Sequence, residues 1–185
     1  MMNFEITYQL SIDSKGIIRN GTPYDFKLNP DTYAWMAELY RHLKIEYPKF
    51  HKMDHLCKLA FLGVELLKES VDCTSFDKDR VALVFENSYA SLDTDQKHQK
   101  NVQSQKTSPA VFVYTLPNIL MGEIAIRNQW YGENLFVLND EFDMEGWKQT
   151  ATTLLKANKA DVIIGGWAEV LDQHFDLRLH MIQRR

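Results

Sequence analysis

The side chains of this sequence that could carry out chemistry are two cysteines, six histidines and one run of carboxylates. Cys57 lies in an apolar helical pattern and Cys73 in a polar segment, so neither a disulfide framework nor a four-ligand metal site can be assembled from them. His51 and His55 are four residues apart, but the residues between them lack the glutamate of the zinc-protease motif. The sequence therefore predicts no metal site and no cofactor.

Four carboxylates follow one another closely near the middle of the second half: Asp140, Glu141, Asp143 and Glu145. A hydrolase that uses two carboxylates needs them on facing walls of a cleft. Carboxylates that are neighbours in sequence just before an amphipathic segment are instead typical of a helix start, where they cap free N–H groups and favour the positive end of the helix dipole. We therefore interpret this run as a capping cluster.

The composition excludes several classes of protein. The chain has 185 residues, of which 45% are hydrophobic and 25% charged, so we expect one folded domain over residues 1–185. The formal net charge of -4 leaves no broad cationic field for nucleic acid or anionic lipid. No basic segment followed by an apolar run opens the sequence, and no stretch approaches a membrane span. We predict a cytoplasmic protein without membrane or nucleic-acid partners.

Hydrophobic periodicity divides the chain into alternating strands and helices. Apolar side chains alternate from Phe4 to Ile12, which predicts a half-buried first strand, and residues 15–30 then have loop composition. Asp31 is the expected cap of a first helix. Short β-branched runs at residues 81–85 and 162–164 predict central strands covered on both faces.

The remaining segments complete the predicted domain. A helix over residues 54–69, capped by Asp54, is apolar on more than one side, and Gly63 in it permits close approach of another backbone. Further predicted elements are the helices 118–127 and 145–157, the strand Asn134–Leu138 and a last edge strand at residues 175–182. This order predicts an α/β fold, a mixed and mainly parallel sheet with helices on both faces.

Several ordered segments are far more specific than the periodicity. They are Lys52-Met53-Asp54, residues 81–87, the run SPAVFVYTLPN at 108–118, Gly122-Glu123, Tyr131-Gly132-Glu133-Asn134 and the strand with its glycine pair at 160–169. In this order they resemble the amino-terminal half of the β-ketoacyl-acyl-carrier-protein synthases, and the resemblance spans residues 52–169. It implies one half of a thiolase-like αβαβα sandwich.

The resemblance also implies where a nucleophile should lie. In that family a cysteine thiolate at the start of a buried helix accepts the acyl group. Counting from Gly132 places Glu141 at that position, and a carboxylate cannot hold an acyl group as a thioester. Neither Cys57, expected to be an inert core thiol, nor Cys73, expected to be a solvated loop thiol, replaces it. We therefore predict no catalytic residue in this chain.

The family's decarboxylation step uses histidines from a second half of the sandwich, which has no counterpart in this sequence. His174 and His180 lack the glycine and threonine surroundings of those histidines. Their alternation with Phe175 and Leu179 predicts surface or edge-strand residues.

In complete family members one strand pairs with its copy across a two-fold axis. The corresponding residues here are Asn134, Leu135, Phe136, Val137 and Leu138, an apolar strand that would invite aggregation if left bare. The resemblance further places a segment against the partner's acyl tunnel, namely Phe112, Leu116, Asn118, Ile119, Met121 and Gly122. Ordinary core packing is an equally good interpretation of the apolar members of this segment.

These expectations lead to three functional hypotheses. The first is a non-catalytic, ketosynthase-like subunit, similar to chain-length factors, that supports acyl-carrier-protein-linked synthesis of fatty acids, polyketides or aryl-polyene-type products by dimerising with a ketosynthase-like partner. The second is one part of a split 3-oxoacyl-acyl-carrier-protein synthase that condenses acyl and malonyl units. The third is a homodimeric scaffold unrelated to acyl chemistry. The first two predict a homo- or heterodimer and acyl carrier protein as a further partner.

Overall fold

The computed structural model describes residues 4–106 and 108–184 of the chain. Its strands are β1 (Ile6–Asp13), β2 (Gly16–Arg19), β3 (Thr22–Pro23), β4 (Val81–Asn87), β5 (Asn134–Leu138), β6 (Val162–Leu171) and β7 (His174–Gln183). Its helices are α1 (Ala34–His42), α2 (His55–Lys68), α3 (Leu92–Gln103), α4 (Pro109–Val113), α5 (Ile119–Asn128) and α6 (Met144–Lys156). None of the helices in this described part has the length and apolar character that a membrane span requires.

The seven strands form one mixed sheet in the order β3-β2-β1-β7-β6-β4-β5. Strands β5 and β6 both pair parallel to β4, whereas the other pairings are antiparallel. The predicted α/β class and mixed sheet are confirmed, but the parallel part is confined to three strands. The reason is local: only residues 172 and 173 separate β6 from β7, and so short a connection joins antiparallel neighbours.

Strand β7 is an interior strand between β1 and β6, so its predicted position at the edge is wrong. Strand β6 continues well beyond the predicted residues 162–164, and its glycine pair therefore lies in mid-strand. At Gly166 the backbone has φ +136°, and a Cβ there would overlap the carbonyl oxygen of Arg178 on β7. Glycine at this position thus permits the close pairing of β6 with β7.

Two more predicted boundaries differ from the structure. Strands β2 and β3 lie inside the segment predicted as loop, and the left-handed Asn20 and Gly21 connect them. Asn-Gly between strands is a hairpin signal that could have identified them. Helix α1 begins at Ala34 after Tyr33, so Asp31 is not its cap; the Asp31 N–H instead donates to the Asn29 side chain in a turn.

Helix α2 lies on one face of the sheet together with α1 and α5, and all of its residues from Leu56 to Leu67 except Lys58 are buried. As predicted, the Asp54 carboxylate caps it by accepting a hydrogen bond from the Cys57 N–H at 2.9 Å. Gly63 faces Leu177 of β7 so closely that a Cβ would overlap this side chain. The close approach at Gly63 is therefore that of a side chain and not, as predicted, of a backbone.

Helix α6 covers part of the opposite face. Its residues Trp147, Ala151 and Leu155 pack against Ala82, Val84 and Ile163. The Trp147 Nε1–H donates to the Val84 carbonyl oxygen at 3.0 Å, which fixes α6 over β4. Helices thus cover both faces, as the α/β prediction required.

Candidate functional site

The connection between β5 and α6 contains Glu141, the residue that the resemblance places at the nucleophile position. Strand β5 ends at Leu138 and α6 begins at Met144, and the exposed Glu141 lies between them at a strand-to-helix bend. The N-cap of α6 is Asp143, whose carboxylate accepts a hydrogen bond from the Glu145 N–H at 3.0 Å. The predicted capping role therefore belongs to Asp143, while Asp140 and Glu141 precede the helix.

The carboxyl ends of β4 and β6 form a hydrogen-bonded acidic rim beside this bend. One oxygen of the Glu169 carboxylate accepts two hydrogen bonds, one from the Ser88 hydroxyl and one, at 3.0 Å, from the Ser88 N–H. The Asn139 side chain donates a hydrogen bond to the Glu86 carboxylate at 2.9 Å. Burial raises the pKa of Glu86, and it has a larger effect than this hydrogen bond, which by itself lowers the pKa. The only histidine near the rim in the described part of the chain, His174, lies 3.8 Å from Glu169 and not between Ser88 and the carboxylate, so no serine nucleophile is assembled from these residues.

A cavity of about 220 Å³ opens at this rim, and it is lined by Ser88, Leu138, Asn139 and Asp140. Sequence reasoning missed Ser88 and Glu169, because the two residues are far apart in the chain and only the parallel pairing of β4 with β6 brings them together.

Both thiols lie away from the bend. Cys57 is buried in α2, and burial raises the pKa of its thiol well above the ordinary value. Cys73 packs against the core in a short 3-10 helix, where burial raises its pKa to about 11, so the predicted solvated thiol is partly buried. A thiol that stays protonated is a poor nucleophile, and neither cysteine is suited to accept an acyl group.

The two tail histidines differ from each other in environment. The side chain of His174 is 63% exposed, whereas His180 is 6% exposed, so the prediction of a surface position is wrong for His180. The His180 ring stacks on Phe142 and contacts Trp147 of α6. Burial lowers the pKa of His180 to about 4, and among the described residues neither ring nitrogen has a hydrogen-bond partner.

The residues predicted to line a partner's tunnel fall into two groups. Phe112 and Leu116 are 59% and 53% exposed, and Asn118 is also exposed. Met121 is buried in the core and Ile119 packs against it. The remaining member, Gly122, has nothing within 4 Å of the position of a Cβ. Core packing is therefore the better interpretation for Ile119 and Met121, while Phe112 and Leu116 are available to a partner.

Strand β5 lies at the open edge of the sheet, bonded to β4 on one side only. Leu135 and Leu138 are 39% and 58% exposed, and Tyr131, just before the strand, is also exposed. A second cavity, between β5 and α6, is mostly apolar and includes Leu135 and Leu154 in its lining. We call Tyr131, Leu135 and Leu138 the edge strip. The remaining strand residues are Asn134, which is exposed, and Phe136 and Val137, which are half-buried.

A cationic cavity that the sequence did not reveal lies between α2, α3 and α4. Its volume is about 90 Å³, and its charged lining consists of Lys52, Lys58 and Lys97 together with the carboxylates of Asp54 and Asp93. Burial lowers the pKa of Lys58. The three lysines are scattered in sequence, and the packing of α3 beside the start of α2 brings them together. The Thr94 hydroxyl on α3 donates a hydrogen bond to the Asp54 carboxylate at 2.7 Å, which helps to hold the two helices in place.

Comparison by sequence gives no relatives: no protein-family model matches the chain, and no curated protein matches it. Comparison of structures gives clear matches. One is a chain in the complex of a ketosynthase with its chain length factor from Xenorhabdus doucetiae, with TM-score 0.67, 13% identity and coverage of 100% of this chain and 80% of that chain.

Two further structures match with similar scores. The ishigamide ketosynthase/chain length factor has TM-score 0.68 and 14% identity, with coverage of 98% of this chain and 62% of that chain. A type II polyketide acyl carrier protein in complex with its ketosynthase has TM-score 0.66 and 13% identity, with coverage of 100% and 63%. The chain thus spans less than two thirds of the latter two. At these identities the likeness establishes the fold, and the chain has the thiolase-like fold of the ketosynthases and chain length factors.

Proposed function

We propose that this chain is a non-catalytic, ketosynthase-like subunit that supports acyl-carrier-protein-linked synthesis of fatty acids, polyketides or aryl-polyene-type products by pairing with a ketosynthase-like partner. The observation that carries the proposal is the bend between β5 and α6, where the exposed Glu141 lies and where the resemblance implies a nucleophile. The raised pKa values of both cysteines support it, because each disfavours the thiolate that acyl transfer needs.

Pairing is supported by the edge strip. An apolar strand whose N–H and C=O groups are bonded on one side only is a template for another strand. Among the matched structures, two are described as a ketosynthase with a chain length factor and one as a ketosynthase with an acyl carrier protein. These descriptions concern those proteins, and they make a ketosynthase the partner to test first.

The open part of the sheet argues against the split-synthase alternative. Beyond α6, the face formed by β1, β2 and β7 carries Gln9, Ser11 and Arg178 beside the exposed Ile18, and the Arg178 side chain is 51% exposed. A second half of a sandwich packed there would have to bury these polar groups, which costs free energy unless each finds a new partner. The same strands are apolar on the face toward α2.

The cationic cavity is the site that we assign to the carrier protein. A phosphate, such as the one that links the prosthetic arm to a carrier protein, is attracted to lysines, and the three lysines of this cavity outnumber its two carboxylates, Asp54 and Asp93. Replacing the exposed Lys97 by Glu is expected to weaken carrier-protein binding severalfold. The same change at Lys159, exposed near the end of α6, is the matched control and should leave binding unchanged.

Two experiments test the role itself. Intact-mass measurement after incubation with acyl-loaded carrier protein should show no stable acyl adduct on the chain, and an adduct on any of its residues refutes the non-catalytic role. Purification from the native source should recover a ketosynthase in equal amount. Leu138→Glu should abolish that recovery, whereas Ile18→Glu, at a position 46% exposed on β2, should not; equal recovery with both variants refutes pairing through β5.

A further inference from the structure

Exposed carboxylates flank both ends of the edge strand β5. Glu133 lies immediately before the strand, and Asp140 and Glu141 lie just after it. None of these three side chains has an ion pair or a hydrogen bond to another residue in the part of the chain that the structure describes. Their charges are therefore not neutralised within the protein.

One lysine, Lys78, lies at the amino end of β5 and keeps its charge, because its hydrogen-bond partner, the Gln129 side chain, is neutral. The Lys78 carbonyl oxygen accepts a hydrogen bond from the Tyr131 N–H at 2.8 Å, which places Lys78 at this end. Its ammonium group donates to the Gln129 side chain, and Asp77 and Asp79 flank it in sequence. Three carboxylates, those of Asp77, Asp79 and Glu133, outnumber this one lysine, so the amino end of β5 is acidic overall, like the carboxyl end.

Two copies of this chain that continued the sheet through β5 would be related by a two-fold axis and would pair antiparallel. The amino end of one strand then lies beside the carboxyl end of the other. With Phe136 on the axis, Glu133 is opposite Asn139 of the second copy and is the diagonal neighbour of its Glu141 on the same face. With the axis at Val137, Glu133 is directly opposite Glu141.

Both of these registers therefore bring like charges close together, and the symmetry does so at both ends. Side chains directly opposite in an antiparallel pair have Cβ atoms about 5 Å apart, and diagonal neighbours about 7–8 Å apart. These distances are at or below the Debye length at physiological salt, so the repulsion is not screened away. Like charges in such positions destabilise pairing and are a known means of excluding a wrong partner.

We propose that the acidic ends of β5 exclude self-pairing and select a different chain, whose edge strand is flanked at both ends by lysine or arginine. This inference rests on the proposed function only for the use of β5 as the pairing edge. The apolar centre of the strand supplies attraction to either kind of partner, and the charges at its ends choose between them. The chain alone is accordingly a monomer, and its working assembly is a heterodimer.

The test is the oligomeric state of the purified full chain in low-salt buffer, measured by sedimentation equilibrium. The wild type is expected to be monomeric. Glu133→Lys makes the two ends complementary, because the ammonium group introduced in one copy then faces Asp140 and Glu141 of the other. This variant is expected to dimerise at least about tenfold more tightly than the wild type. Glu38→Lys, the same charge change at an exposed position on α1, is the matched control and should remain monomeric.

The outcomes separate this inference from the proposed function. A wild-type homodimer, or a Glu133→Lys variant no more associated than Glu38→Lys, overturns the inference. Either result can coexist with recovery of a ketosynthase that depends on Leu138, which tests pairing itself. Dissociation of the Glu133→Lys dimer in about 1 M NaCl supports the electrostatic basis, and a dimer indifferent to this salt contradicts it.

Discussion

Acidification should unfold this protein partly through one histidine. His180 lies on β7 beneath Phe142 and Trp147, and burial lowers its pKa from 6.5 to about 4. In the unfolded chain the ring takes up a proton below about pH 6.5, whereas in the folded chain it does so only near pH 4. The stabilising contribution of the neutral ring is therefore complete above pH 6.5 and is lost as the pH falls toward 4.

The size of this loss follows from the shift. One pKa unit corresponds to about 1.4 kcal/mol, so the whole shift is worth about 3 kcal/mol once the pH is below 4. At pH 5 the unfolded form is largely protonated and the folded form largely neutral, and about 2 kcal/mol is already lost. Unfolding free energies of ordinary domains are about 5–15 kcal/mol, so this loss is a substantial fraction of the total stability.

The measurement is urea unfolding at pH 7.5 and at pH 5, followed by tryptophan fluorescence, for the wild type and His180→Leu. Leucine fits an apolar site and removes two unpartnered nitrogens, so the variant should be at least as stable as the wild type at pH 7.5. Between the two pH values the wild type should lose about 2 kcal/mol more than the variant. His174→Leu, at an exposed position, should behave as the wild type. Equal losses in wild type and His180→Leu would refute the reasoning.

Further predictions concern backbone packing and the thiols. Gly166→Ala should lower the unfolding free energy by about 2 kcal/mol or more, because the added Cβ meets a carbonyl oxygen on β7 and φ is positive. Gly122→Ala, in α5 with open space around it, should instead raise the unfolding free energy by up to about 1 kcal/mol, and urea unfolding measures both. Cys57 and Cys73 should react with Ellman's reagent at pH 8 only in urea, because both pKa values are raised; rapid reaction of either thiol in the folded chain contradicts the assignment of its environment.

The sequence predicted those elements whose local pattern suffices to define them. Helix α2 carries a cap at one end and apolar residues on several sides, and β5 is a short apolar run between polar flanks, so both were located correctly. The order of the strands in the sheet cannot be read from a local pattern, because it depends on which strands meet in space. The alternation in β7 indicated a strand but contained nothing to place it between β1 and β6.

His180 illustrates the same limit for a single residue. Alternation correctly put its side chain on the face opposite Leu179. Whether that face meets water depends on the position of α6 and of Phe142, which belong to a segment about forty residues away in the chain. Burial of a histidine therefore cannot be inferred from its own strand. In the same way, the meeting of the three lysines in the cationic cavity cannot be inferred from the helices that carry them.

The two edges of the sheet give a physical reason to look for function at β5. The outer edge at β3 is a strand of two residues ending in Pro23, which offers little backbone to a partner and lacks one N–H donor. Strand β5 has five residues without proline or lysine, and its side chains Leu135 and Leu138 remain exposed. One edge of the sheet is thus protected, and the other is open with charges only at its ends. These are the features that the proposed pairing of β5 with one particular partner requires.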